Sequence, residues 1–593
     1  MQFSEDYFSA MPSRPRTVIS HAFIRNESLA EEPVVISRLI CRMHPAALVF
    51  AILSCAVQSV TLECVVRFSK SASGIGILKN TFENSEYCVY LGIRYGTFGR
   101  FQPSQLLEPK DHQNYTAQGS VCPQLDDINY PTQVLGEEDC LFLNVYSPEG
   151  ANDTSLFAVL VFIHGGSFTI GSAGYDVHGV DLLIGNNIVI VTINYRLDVL
   201  GFLRYPKFNI TGNYGLLDQR TALQWVRQYI NCFGGDPNRI TLMGHSAGAS
   251  SINYHMYSDQ SAGLFHQAIL QSGTFLMPHA FIYEPEKYAE FYFTQMGVST
   301  RDQLLDRDFR DYFFLNDTSR MLGTVFASMQ FPCFLPAADG LSISESPHQL
   351  ILQNMSRSDI PLLVGTTSTE FLLLLDYVKD YFSWDENFPN RDNKTVLEYV
   401  EGVIHAMAAY AKETGLVTEK EQFFRDLANY ANMIFPADNF VEKMLASERK
   451  SPIYRYRFGF EGKFGWYKNE FYRTRMNTSR PGVVHGDDLG YIFTPYNVRE
   501  ALEQPENYRK EWYVHRMLAK AIACFVKHGN PSTEHLHWKP VNAAGENVVY
   551  IGDEMVSKTE NNSHYMANFW KRIHDCYYYY RCSRLEAPMA KDV

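Results

Sequence analysis

Gly244-His245-Ser246-Ala247-Gly248 stands between the apolar run Arg239–Met243 and the small-residue stretch Ala249–Ile252. A strand, a Gly-x-Ser-x-Gly turn and a helix together lift a serine hydroxyl to the top of a sheet. The turn is sharp, so a Cβ at either flanking position would meet the neighbouring strand or helix. The helix that follows aims its first N–H groups and its positive dipole end at the place where an oxyanion would form. Chance alone supplies about 0.2 such pentapeptides in a chain of this length. The flanking strand and helix signals therefore matter as much as the motif. A nucleophilic serine further needs a base, an acid to orient that base, and donors for the oxyanion.

Candidates for each exist. Val159–Ile163 is a β-rich run that breaks into His164-Gly165-Gly166-Ser167-Phe168. This has the pattern of a loop whose successive N–H groups face developing negative charge. Gly166, Ser167 and Ala247 are the candidate donors. Ile360–Gly365 reads as a buried strand, with Glu370 just beyond its end, and Gly482–Asp488 puts His485 in a short glycine-bearing loop. The order serine, acid, histidine is that of an α/β-hydrolase. With 18 histidines and 65 acidic residues in the chain, order alone does not select these two; their strand-end context supports the choice.

At this point the chain resembles the type-B carboxylesterases, a family that includes cholinesterases and several insect esterases. Glu138–Val145 resembles its second signature and the Ser246 region its active-site signature. Gly92–Gly96 with Arg100-Phe101, Gly212–Gln219 and Phe233–Pro237 resemble further family motifs, in the family's order. The resemblance spans about Tyr90 to Trp570. It implies an α/β-hydrolase fold: a mostly parallel central sheet flanked by helices, with helical insertions over an active-site gorge. It also implies a Ser246–His485–Glu370 triad, with Gly166, Ser167 and Ala247 as oxyanion hole. Ser246 would attack an ester carbonyl, His485 would carry the proton and Glu370 would hold the imidazole. Cys122 and Cys140 resemble the family's first disulfide, whereas the cysteines of its second are lacking. No cofactor or metal is implied.

Two departures bear on substrate. Cholinesterases carry a glutamate before the nucleophile and a tryptophan in the first disulfide loop; here His245 takes the first position and residues 123–139 contain no tryptophan. A cation–π cage on that loop is missing, so choline esters are not expected substrates. Ser167 replaces a third glycine but keeps its N–H. His245 reads either as a packed imidazole or as a second titrating group. Some members of the family are catalytically silent adhesion proteins. Retention of Ser246, Glu370, His485 and the oxyanion loop favours the enzyme over that alternative.

The 593-residue chain carries a formal net charge of −13, which argues against nucleic acid and anionic membrane as partners. Pro45–Val57 is an apolar run too short for the roughly 20 residues that span a bilayer, but it suits the core of a signal peptide with cleavage near Val57-Gln58-Ser59. We therefore expect residues 1–42 to be an extension foreign to the family and 43–64 a signal peptide region. One hydrolase domain over 65–575 and a tail of 576–593 complete the chain. Secretion follows, with no stable membrane anchor; the alternative is a type II signal anchor. N-x-S/T sequons at Asn114, Asn152, Asn209, Asn316, Asn354, Asn393, Asn477 and Asn561 agree with secretion. Cys232, Cys333 and Cys524 read as buried thiols, Cys88 as a strand residue, and Cys576 and Cys582 as a possible pair.

Ile188–Ile193 reads as a fully buried strand and Glu511–Lys527 as a late helix ending at Gly529. The stretches 278–347 and 374–449 read as helical insertions in which substrate choice resides. Their aromatics Phe371, Tyr377, Tyr381, Phe382 and Trp384 serve either the gorge or the core.

Overall fold

The computed structural model describes residues 64–126, 130–152, 154–313, 334–353, 359–371, 426, 429–447, 449–471, 479–502, 504–542, 547–558, 570, 571 and 574. Its frame is an eleven-stranded sheet. In chain order the strands are β1 (Ile77–Asn80), β2 (Glu86–Arg94), β3 (Phe142–Pro148), β4 (Phe157–Ile163), β5 (Val189–Ile193), β6 (Gly235–His245), β7 (Gln267–Gln271), β8 (Leu362–Thr367), β9 (Ile453–Phe458), β10 (Val548–Ile551) and β11 (Met555–Lys558). In space they run β1-β2-β3-β5-β4-β6-β7-β8-β9-β10-β11. From β5 to β10 every pairing is parallel; at both edges the pairings are antiparallel.

The central strands are apolar because both faces are covered. In β4, Val159, Val161 and Ile163 enter one core while Ala158, Leu160 and Phe162 enter the other. β5 divides in the same way, with Val189, Val191 and Ile193 opposite Ile190. Helix α1 (Tyr214–Tyr229) packs Leu223, Trp225 and Val226 into the first core. Helix α2 (Ala247–Tyr257) adds Ala249 and Ile252 to it. α3 (Pro285–Met296) and α4 (Phe435–Leu445) belong to the expected insertions. α5 (Arg509–His528) packs Val514, Leu518, Ile522 and Phe525 into the second core and ends at Gly529 with φ 66°, as its glycine predicted.

Two cysteine assignments change. Cys64, which the sequence reading places in the leader region, is disulfide-bonded to Cys88 in β2. Its bonded partner makes it a buried part of the fold. Cys232 and Cys524 are half-buried rather than buried. Cys122 and Cys140 are joined. Asn114, Asn152 and Asn209 are exposed. Residues 1–63, most of 374–449, Tyr377, Tyr381, Phe382, Trp384, Cys333, Cys576, Cys582, the 576–593 tail and the remaining sequons lie outside the described residues.

Candidate active site

Every sequence-predicted site residue sits at the carboxyl ends of the parallel strands, where α/β sheets place their ligands. Ser246 follows β6 directly and holds φ 55° and ψ −120°, a conformation costly for any residue with a Cβ. Its N–H donates to Gln271 O at 2.9 Å, which ties the turn to the end of β7. Helix α2 begins at the next residue. The flanking glycines are required by close approach: a methyl on Gly248 would lie 2.1 Å from Ile163 O, and one on Gly244 would lie 2.5 Å from the Gly248 carbonyl.

The loop after β4 lies against this turn. A methyl on Gly165 would be 2.7 Å from His245 O and 3.0 Å from Ser246 Cβ. Gly166, Ser167 and Phe168 all have positive φ (109°, 55° and 63°), and the Gly166 carbonyl accepts from the N–H groups of Thr169 and Ile170 at 2.9 and 3.0 Å. Among the described residues, the N–H groups of Gly166, Ser167 and Ala247 meet no acceptor. His164 anchors the loop: Nδ1 bonds Gly165 O at 2.8 Å and the ring stacks on Tyr195 at 4.4 Å. Burial lowers the proton affinity of His164, to a pKa of about 4, so this ring is neutral.

Glu370 and His485 meet directly. His485 Nδ1 lies 2.8 Å from Glu370 Oε2, and the His485 N–H donates to Glu370 O at 2.9 Å. The other carboxylate oxygen of Glu370 accepts from Ser272 Oγ at 2.7 Å and from the Thr367 N–H at 2.6 Å. Three donors fix a carboxylate that is only 2% exposed. Among the described contacts, no hydrogen bond joins the Ser246 hydroxyl to His485. Hydrogen bonds between a nucleophile and its base are commonly long or poorly aligned without substrate, so this geometry does not exclude the pairing. The turns nonetheless touch, since the His245 and His485 rings lie 4.5 Å apart.

His245 is the packed imidazole of the two readings. It is 1% exposed and sits between His485 and Tyr467. Burial, with the His485 and His178 charges, holds it well below the ordinary histidine range. Phe371 stacks on His485 at 5.8 Å and packs against Met277, Ala280 and Met433, so it serves both site and core. Sequence reasoning missed Ser272; the available signal was its place after β7 beside Gly273, whose methyl would lie 2.3 Å from Ser246 O.

With this geometry in view, the comparisons are informative. Residues 73–570 match the sequence profile of the Carboxylesterase family. The chain belongs to that family. Juvenile hormone esterase of Heliothis virescens is 29% identical over 568 residues, covering 87% of this chain and 94% of the relative. Carboxylesterase 1D of Mus musculus is 30% identical, covering 76% and 83%. Para-nitrobenzyl esterase of Bacillus subtilis is 28% identical, covering 82% and 96%. The crystal structure of juvenile hormone esterase from Manduca sexta, with OTFP covalently attached, superposes with a TM-score of 0.73. It is 25% identical and covers 87% of this chain and 100% of that one. The fold is thus an α/β-hydrolase and the chain a carboxylic ester hydrolase acting on small-molecule esters.

Proposed function

We propose that this carboxylesterase is a secreted serine esterase that works through an acyl-enzyme on Ser246. In this reading the Ser246 hydroxyl attacks the ester carbonyl carbon while the His485 imidazole takes its proton. Glu370 holds the imidazole tautomer and stabilises the imidazolium. The N–H groups of Gly166, Ser167 and Ala247 receive the tetrahedral oxyanion, each such donor being worth roughly 10²–10³ in rate. The tetrahedral species collapses, the alcohol leaves with the proton held by His485, and water then releases the acid by the same steps in reverse order. The observation that carries the reading is the Glu370–His485 pair at 2.8 Å beside the strained Ser246 turn.

Export rests on the apolar Pro45–Val57 run, on exposed sequons at Asn114, Asn152 and Asn209, and on two disulfides. Among the described residues no helix is long and apolar enough to cross a membrane. We place the leader within residues 43–63, after an extension of 1–42, and one hydrolase domain from Cys64 to about 575. Incubation with a fluorophosphonate probe tests the chemistry. A covalent adduct mapped to Ser246, absent from Ser246→Ala, is the expected result. No adduct, together with no hydrolysis of short aryl esters, would instead favour a silent binding protein. A panel of esters varied in acyl and alcohol chain then defines the substrate.

A further inference from the structure

The end of the sheet beneath His485 carries a row of side chains that the triad does not use. His245, Gln271, Gly365 and Tyr456 are register partners on adjacent parallel strands, so they share one face. Gly365 has no side chain to occupy its place, and Tyr456 leans across it: a methyl there would lie 1.9 Å from Tyr456 Cζ. This lean brings the Tyr456 hydroxyl to Asp488 Oδ2 at 2.8 Å, and Gln271 Nε2 donates to the same oxygen at 3.1 Å. Asp488 is fully buried and its Oδ1 has no hydrogen-bond partner. Its neighbour Asp487 differs. Both oxygens of Asp487 hold the loop itself, through the N–H groups of Lys468 and Val484, each at 2.9 Å.

We propose that Asp488 is a positioning residue for the general base, a second buried carboxylate whose negative charge stabilises the His485 imidazolium formed in the transition state. The proposal rests on the triad reading above. Two donors on one oxygen keep part of the charge in place, and the unpartnered second oxygen leaves the rest unneutralised in a buried layer under the catalytic loop. Burial raises the Asp488 pKa to about 6, with the Glu370 charge adding to it and the His485 charge opposing it. The carboxylate is therefore ionised at neutral pH, when the base is at work. Glu370 from the end of β8 and His245 from β6 lie against His485, and the charges of His279 from beyond β7 and Asp488 from its own loop act on it. Burial holds both His245 and His279 below the ordinary histidine range, which leaves the two carboxylates as the charges that favour the imidazolium.

The test is Asp488→Asn, with kcat and kcat/KM followed from pH 5 to 9 on a short aryl ester. Loss of the anion lowers the proton affinity of His485. The acid limb of kcat/KM then moves to lower pH by about half a unit to one unit, and plateau kcat falls about three- to tenfold, a unit being tenfold in equilibrium. The variant is slower yet more acid-tolerant. KM stays within twofold. Tyr456→Phe removes one donor, makes the carboxylate hold its proton to higher pH, and shifts the limb the same way by less. It provides the readout if the first variant does not fold. Asp487→Asn should lower Tm without moving the limb. An unmoved limb in both Asp488→Asn and Tyr456→Phe overturns the proposal while the triad reading stands. An inert wild type that also fails to take the phosphonate overturns both.

Discussion

Acidification should unfold this esterase steeply, because buried neutral histidines must acquire charge. His164, His178, His255, His279, His348, His515 and His574 are buried, and burial lowers their pKa values to between about 2 and about 4. In the unfolded chain each protonates near 6.5. A depressed histidine contributes stability that is complete above 6.5 and lost as the pH falls towards its folded value. Asp487 and Asp488 act in the opposite sense. Burial raises them to about 7 and about 6, so their contribution is largest at low pH and is lost as pH rises. At pH 5.5 the unfolded histidines hold about six protons that the folded ones lack, and the two aspartates return fewer than two. The net of between four and five protons gives a slope of about 6 kcal/mol per pH unit. For a domain of this size that is about 5 °C of Tm per unit. Thermal melts at constant ionic strength from pH 6.5 to 5.0 measure it. His255→Gln keeps a polar group between Ser261 and Gln219 and should flatten the slope by about 1 kcal/mol per unit. A Tm that stays level or rises over this window would refute the assignment of these rings as neutral.

Other outcomes can be read in single measurements. Gly248→Ala drives a methyl to 2.1 Å from Ile163 O. It should cost about 3 kcal/mol or more by overpacking, seen as a lowered urea midpoint. Ser272→Ala removes a charge-assisted hydrogen bond worth about 1.5–3 kcal/mol from Glu370; kcat should fall at least about tenfold with KM little changed. Cys88→Ser opens a loop closed across 24 residues. The chain-entropy relation puts that loss at about 3.5 kcal/mol, measured by melts of the oxidised proteins.

Much of the frame was legible because period-2 and continuous apolar runs leave a plain record. β4, β5, β6 and β8 all lie within two residues of their expected starts except β6, which begins at Gly235 rather than Arg239. There Gly235 already pairs with Phe157 ahead of a register shift, so residues that carry no strand pattern extend the strand. The nucleophile turn was legible because only glycine fits at 244 and 248. Ser272 and Asp488 were not legible, since a serine at a strand end and an aspartate in a loop are common and nothing local marks their partners. Glu370 lies 98 residues from Ser272, and Tyr456 lies 32 from Asp488. Only closure of the sheet brings them together. Cys64 was masked by its nearness to an apolar leader, although a partner in β2 was waiting for it.

The Cys64–Cys88 bond sets a limit on maturation. Under the proposed export, cleavage of the leader would have to fall upstream of residue 64, for a cut one peptide bond later discards half of a cross-link and leaves a lone thiol in the second strand of the sheet. A recombinant version begun at residue 65 would lack this cross-link from the outset.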